Sequence, residues 1–398
     1  MLFSTYLRIS LLGFGGPNAH LALMLDEVVE RRRWLSRERF LEIVAITNLL
    51  PGPNSSEVAI HVGYTQRGWP GALTTGLTFL APTFVMVTAL SALYFRFGTL
   101  PQVSGVFWGL QPVIVAIVLS AGWKIGRAGV KTPVQAGLAV VGAGVSLVSG
   151  RGIVAAMVLA GLVTWWLRRA ERDGARPRSG RPGEDGRGPG DDQGDGGARG
   201  GDGGGAARRS WLLLPAGAAG AGSVGGVATV FLLHLGIGCV LFGGGYVLVA
   251  LLQPYAVGQY GWLTNAQFLD GVALTQAVPG PISTLSAFVG YAAAGVPGAV
   301  AGTAGIYLPA FVGVLLVAPR LERLRRVDAV RHALEGVVAV AAGAIAGVGL
   351  SLAVSGIRDP VGGVIAAAAL GLATWKKVPA LWLVGGGVAA GLVRMLAG

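Results

Sequence analysis

The sequence predicts an all-α polytopic membrane protein built as two inverted-topology repeats, with about five spanning helices plus one re-entrant P-G-P hairpin in each. Three observations carry this: an excess of apolar residues, apolar stretches of bilayer length, and a self-similarity between the halves. Of 398 residues, 53% are hydrophobic and 13% charged, with a mean hydropathy of +0.64. A soluble core of this size cannot bury so much apolar surface. The net charge of +12 sits in short basic runs between apolar stretches, with no aromatic-rich basic face. It reads as a topology signal, and nucleic acid is not an expected partner. The single cysteine, Cys239, excludes a disulfide framework and a multi-cysteine metal site. The 67 glycines have no triplet period, which excludes collagen. The first apolar stretch runs into a Gly-Pro turn with no A-x-A site, so no signal peptide is expected.

Residues 169–210 mix Gly, Arg, Asp and Pro without large apolar side chains, so burial cannot offset the entropy of ordering them. They predict a disordered linker between an N-terminal membrane repeat, 1–168, and a C-terminal one, 211–398. A shift of 228 superimposes Phe14-Gly15-Gly16 on Phe242-Gly243-Gly244, Trp34-Leu35-Ser36 on Trp262-Leu263-Thr264, and Pro51-Gly52-Pro53 on Pro279-Gly280-Pro281. After a one-residue gap the shift becomes 227 and pairs Gly63-Tyr64 with Gly290-Tyr291 and Pro70-Gly71-Ala72 with Pro297-Gly298-Ala299. These are internal repeats.

A spanning helix takes about 20 apolar residues. Candidates are 2–25, 71–95, 102–123, 132–149 and 152–168 in the first half, and 226–252, 298–317, 332–355, 361–374 and 379–394 in the second. The stretches 40–63 and 266–291 are also long enough, but P-G-P in the middle of each removes backbone donors and breaks the helix. If both turn back, the loops 26–39, 124–131 and 318–331, the linker and Lys376-Lys377 share one side, which the positive-inside rule makes cytoplasmic. Loop 253–265 and turn 292–297, without Lys or Arg, fall on the other. The segment 211–224 then packs at the interface.

Each break leaves a second half-helix starting inside the membrane, its first N–H groups unpaired and the positive end of its dipole exposed. The new starts read Pro53-Asn54-Ser55-Ser56 and Pro281-Ile282-Ser283-Thr284. Proline pre-sets φ and the hydroxyls add donors, which suits an oxyanion better than a cation. Asn48 and Gln276 stand just before the breaks and add amides. The Phe-Gly-Gly elements, with Gly15, Gly16, Gly243, Gly244 and Gly245, interrupt the first helix of each half and expose further N–H groups. In inverted repeats the turns and the breaks can converge near the midplane. The substrate-binding set is therefore Gly15, Gly16, Asn48, Pro51, Gly52, Pro53, Asn54, Ser55, Ser56, Gly243, Gly244, Gly245, Gln276, Pro279, Gly280, Pro281, Ser283 and Thr284.

The elements FGGP at 14–17, LLPGPNSSE at 49–57, FGGGY at 242–246, GWLT at 261–264 and TQAVPGP at 275–281 resemble the chromate ion transporter family. The resemblance spans roughly 1–125 and 226–355. It implies a long-chain, two-domain member that exports chromate across the bacterial inner membrane and confers chromate resistance, with sulfate, a dianion of the same shape, as the alternative substrate. The residues alone stop at an anion.

Ionisable groups inside apolar segments are costly and are the coupling or charge-balancing candidates: Arg8, His20, Glu57 and His61. Glu57 and His61, four apart on one helix face, suit proton exchange or a structural pair. Glu42 and Asp270 match at the hairpin starts as dipole partners. A second function class makes His20, Glu57 and His61 metal ligands of an intramembrane enzyme, which leaves the second P-G-P without a task. A passive channel is a third. No nucleotide loop G-x-x-x-x-G-K-[ST] occurs. The expectation is thus a non-enzyme with no cofactor, whose partners are an oxyanion, the lipid bilayer and, compatibly, a second copy of the chain.

Overall fold

The computed structural model describes residues 1–14, 16–97, 101–148, 150, 152–174, 224–317 and 328–397. Gly15, residues 175–223 of the linker and the segment after it, and Arg320, Arg323, Arg325 and Arg326 lie outside the described residues. No strand occurs among the described residues. The first half contains α1 (Leu2–Leu12), α2 (Pro17–Leu25, prolonged by a wide turn Asp26–Arg31), α3 (Arg37–Thr47), α4 (Asn54–Phe97), α5 (Pro101–Gly129), α6 (Pro133–Val148) and α7 (Ile153–Gly174). The second contains α8 (Val224–Gly238), α9 (Gly245–Gln253, prolonged by Pro254–Gln259), α10 (Asn265–Ala277), α11 (Leu285–Val312), α12 (Asp328–Gly356), α13 (Pro360–Thr374) and α14 (Ala380–Ala397). Among the described residues, five helical stretches are long and apolar enough to cross a membrane: Asn54–Phe97, Ser104–Gly129, Ile282–Leu316, His332–Gly356 and Ala380–Ala397. The protein is an all-α polytopic membrane protein.

The repeat in the sequence recurs in the backbone. Within α4, Arg67 (φ −144°, ψ 27°) and Gly68 (60°, −148°) break the helix; within α11, Ala294 (−150°, 28°) and Gly295 (63°, −150°) do the same at a shift of 227. The wide turns after α2 and α9 also match. Prolines open α2, α6 and α13, where the missing N–H costs nothing. Ser36 caps α3 by accepting from the Arg39 N–H (3.2 Å), and Thr264 with Gln267 forms a capping box on α10.

P-G-P breaks the chain where the sequence places the break, and each stretch turns back. The Gln66 side chain donates to the Trp34 carbonyl (3.3 Å), so the start of α3 and the end of the first arm of α4 meet at one end of the bundle. In the second half Trp262 packs with Ala293, which brings the two ends of that hairpin together too. The arms pack tightly onto the helix that follows: a Cβ on Gly63 would lie 2.3 Å from the Gly71 carbonyl, and one on Gly290 2.1 Å from the Gly298 carbonyl.

The first stretch of each half departs from expectation. Residues 2–25 and 226–252 were expected to cross with a break; instead α1 and α2 fold back on each other, as do α8 and α9. Met1, Leu2 and Trp34 line one small cleft, and Val227, near the start of α8, shares a cluster with Trp262. The Gly-rich break is a full reversal in which residues at positive φ, Gly16 before α2 and Gly243 and Gly244 before α9, start the second helix in a new direction. Among the described residues each half shows two hairpins and four lengthwise helices.

The lengthwise helices define two ends. Lys124 on α5, Lys131 and Lys377 sit at one, called here the lysine end; Trp108 and Gln111 on α5, Asp270 on α10 and Arg394 on α14 line a cavity at the other. From Trp108 to Lys124 the rise is about 24 Å at ~1.5 Å per residue. The α1–α2 and α3–α4 hairpins dip in from the lysine end, the α8–α9 and α10–α11 hairpins from the Asp270 end. Helix α7 continues to Gly174, into the stretch read as linker, and ends at the lysine end, where Arg168 meets Glu335 (3.6 Å).

Candidate functional site

The four hairpin tips meet in the middle of the molecule and are tied crosswise. The Gly52 N–H donates to the Leu241 carbonyl (2.8 Å) and the Gly280 N–H to the Gly13 carbonyl (2.9 Å). Leu241 stands 228 after Gly13, and Gly280 stands 228 after Gly52, so each P-G-P turn is held by the Gly-rich break of the opposite half. These two N–H groups are therefore used in the fold and are not offered to a ligand.

A cavity of about 760 Å³ reaches from the lysine end to these tips. Gly243, Gly244, Gly245 and Tyr246 line it from the second half; Phe14, Pro17, Asn18, Asn48, Gly52, Asn54 and Glu57 line it from the first. Ser120 and Lys124 on α5 and Lys377 after α13 complete the polar lining. Gly244 has φ 105° and ψ 172°, a conformation that an L side chain rarely adopts, and with it α9 starts at the cavity wall. The amides of Gly243, Gly244 and Gly245 have no backbone acceptor among the described residues. A helix start with free N–H groups is an anion site in waiting. Asn54 Nδ2 donates to Asn48 Oδ1, and the Thr47 hydroxyl lies 3.3 Å from Asn54 Oδ1, which fixes both amides at the wall.

The remaining expected residues lie elsewhere. Gly16 starts α2 at φ 83° beside the lining residue Pro17. Pro51 and Pro53 shape the first turn. Ser55 and Ser56 are buried rather than cavity-lining. The His20 Nε2–H donates to the Gly13 carbonyl (2.9 Å), which leaves Nδ1 to accept from Ser55 Oγ (3.4 Å). His20 thereby locks the first break. The second P-G-P is plugged: the Thr83 hydroxyl donates to the Pro279 carbonyl (2.8 Å), and a Cβ on Gly280 would fall 1.8 Å from Thr83 Oγ1. Behind Pro281, Ser283 Oγ pairs with the Tyr307 hydroxyl (2.5 Å) and Thr284 bonds the Pro281 carbonyl (2.8 Å). Gln276 reaches the cavity indirectly, donating to the Tyr246 hydroxyl (2.8 Å).

Arg8 is exposed on α1 and does not line this cavity. Glu57 does line it, fully buried, with both carboxylate oxygens unpartnered. No hydrogen bond or ion pair joins Glu57 to His61 among the described residues; the buried His61 Nδ1 is also unpartnered. A carboxyl group so placed has no protein partner in place of water. No group of three His, Cys, Asp or Glu side chains placed to hold a metal occurs among the described residues, and His20 is engaged with Gly13 and Ser55. Lys124, Lys377 and Tyr246 were missed as site residues. The lysines look like topology signals in the sequence, and only the packing of α5 and α13 beside the hairpin tips brings them to the anion-compatible wall.

At the other end side chains tie the two halves together. Asp270, nearly buried, accepts from the Tyr94 hydroxyl (2.7 Å) and from Gln111 Nε2 (2.9 Å), which ties the second hairpin to α4 and α5. Phe95 stacks on Tyr291 with centroids 5.8 Å apart. The expected dipole-partner role of Asp270 is thus joined by a clamp that its counterpart Glu42, paired with Arg39 (2.8 Å), does not form.

The chain matches the family model described as chromate transporter over residues 1–165 and 228–392. It is 33% identical to a chromate transport protein of Pseudomonas aeruginosa, over 94% of this chain and 87% of that one. A chromate transport protein of Cupriavidus metallidurans is 29% identical over 98% and 91%, and a probable chromate transport protein of Synechococcus elongatus 26% over 93% and 88%. No solved structure matches the chain. With both halves matched by one family model and both arranged around one central cavity, the chain belongs to the chromate transporter family.

Proposed function

We propose that the chain is a secondary transporter that exports chromate across the bacterial inner membrane and gives chromate resistance. The observation that carries this is the cavity where the free amides of Gly243–Gly245, the amides of Asn48 and Asn54, and two lysines face one space of about 760 Å³. The relatives' names supply chromate; the wall supplies donors for a tetrahedral oxyanion, and sulfate is the alternative passenger. The two halves, 1–168 and 211–398, act as inverted repeats, with the lysine end cytoplasmic by the positive-inside rule.

The anion binds at the α9 start and at the first P-G-P, not equally at both turns. Leaving an inside-negative cell, a dianion gains about 4.6 kcal/mol per 100 mV, since each charge is worth ~2.3. Potential alone therefore drives export. Glu57 sits where an ionised carboxylate and a dianion would repel, so anion binding and protonation of Glu57 support each other.

Uptake of labelled chromate into inside-out vesicles, competed by sulfate, with and without an imposed proton gradient, tests this reading. Saturable, sulfate-competed uptake is expected. Vesicles with normal protein content and no uptake above background would refute it. In Glu57→Gln, competition by sulfate should persist while dependence on the proton gradient disappears; an unaltered gradient dependence removes Glu57 from the coupling.

A further inference from the structure

Lys377 stands in the left-handed region at φ 54°, just past the end of α13, where the Val378 N–H closes back on the Leu372 carbonyl (3.1 Å). This is the helix-ending position that glycine normally fills, because a Cβ there crowds the neighbouring carbonyl. The repeat makes the point internally. The residue 227 earlier is Gly150, at φ 61° after α6. The same backbone turn thus carries glycine at the Asp270 end and a lysine at the lysine end.

Lys377 lines the central cavity, and so does Lys124, whose own counterpart at a shift of 227 is Ser351. The two lysines come from opposite halves of the chain. No ion pair among the described residues engages either of them. The acid on that wall is Glu57, which sits deeper, at the hairpin tip. Arg33 takes the same conformation (φ 53°) where the second half has Gly261 (φ 59°), but it does not line this cavity; Lys377 joins the unfavourable conformation to a place on the cavity wall.

We propose that Lys377, seconded by Lys124, is the cationic ligand that meets a doubly charged oxyanion at the cavity mouth and selects it over singly charged ones. The two positive charges match the two negative charges of the passenger, and the walls of the cavity focus their field. The assignment rests on the transport reading above.

The test uses full-length protein in inside-out vesicles, where the lysine end faces the bath, with chromate, sulfate and nitrate as probes. In Lys377→Gly the KM for chromate should rise about tenfold, the low end of electrostatic focusing, while kcat changes little. The thermal midpoint in detergent should equal or exceed that of the parent, because glycine relieves the left-handed turn. Lys377→Asn, which also tolerates that region, should give the same KM shift, because it removes the charge without the added freedom of glycine. Lys124→Gln should raise KM a few-fold, and the double variant should lose the salt dependence of uptake and the preference for sulfate over nitrate as competitor. A KM within twofold of the parent in both Lys377 variants, with normal insertion, overturns the assignment and leaves Lys377 a topology signal. Parent vesicles that transport neither chromate nor sulfate overturn both this and the transport reading.

Discussion

The two P-G-P turns share a motif, a glycine at positive φ (154° at Gly52, 120° at Gly280) and a reciprocal hydrogen bond, yet one opens on the cavity and the other is sealed. Thr83 makes the difference. Its hydroxyl bonds the Pro279 carbonyl, and its counterpart Ala310 only touches the first turn, where a Cβ on Gly52 would lie 2.9 Å from the Ala310 Cβ. Behind the second turn, Ser283 is spent on Tyr307, whereas behind the first, Ser55 is spent on His20. Repetition fixes where the backbone breaks; unmatched side chains decide which break opens on the cavity.

The largest way to break this comparison is Gly280→Ala. The new Cβ cannot coexist with Thr83 Oγ1, and a loss of about 3 kcal/mol is expected, at the top of the range for overpacking. Thermal unfolding in detergent measures it. Adding Thr83→Ala should restore part of the loss, since it removes the clashing hydroxyl; no restoration would mean that the positive φ alone sets the cost. A sharper contrast sets Asn54→Ala against Ser283→Ala in the vesicle assay. Asn54→Ala should raise the KM for chromate about tenfold, the ~1.4 kcal/mol of one lost hydrogen bond to a charged group. Ser283→Ala should leave KM within twofold and cost about 1 kcal/mol of stability through the lost Tyr307 contact. The reverse order would return the second turn to the binding site.

The smallest effect lies outside the membrane segments. Asp359 caps α13 by accepting from the Gly362 N–H (2.7 Å) and pairs with Arg394 (2.6 Å). The Gly362 N–H, then Arg394, hold its carboxyl below the usual range. A lowered folded value means that this contribution is fully present above the unfolded value of about 3.9 and fades as pH falls through the folded one. Asp359→Asn should flatten the stability–pH curve only in that acid window; the same difference at pH 7 as at pH 3 would show that charge plays no part.

Much of this was legible in the sequence because proline and glycine act through the local backbone. P-G-P at 51–53 and 279–281 predicts two broken helices that turn back, and the chain does so. What the sequence hides is direction and company. Phe14-Gly15-Gly16 reads equally well as an interrupted span or as a reversal, since both need only exposed N–H groups and a flexible joint. Asn48, Asn54 and Gly243–Gly245, named from the sequence, lie on the cavity wall, but Ser283 and Thr284 look like donors until the packing gives them partners. Asking where a repeat replaces glycine with a charge returns Arg33 against Gly261 as well as Lys377 against Gly150, and only the packing sets Lys377 on the cavity wall.

The crosswise bonds from Gly52 to Leu241 and from Gly280 to Gly13 mean that neither half completes its own tip. A polypeptide carrying a single half would strand a polar amide in hydrocarbon, at a cost of several kcal/mol. It could satisfy that group only on a second polypeptide inserted upside down beside it. Severed halves produced together should therefore find each other.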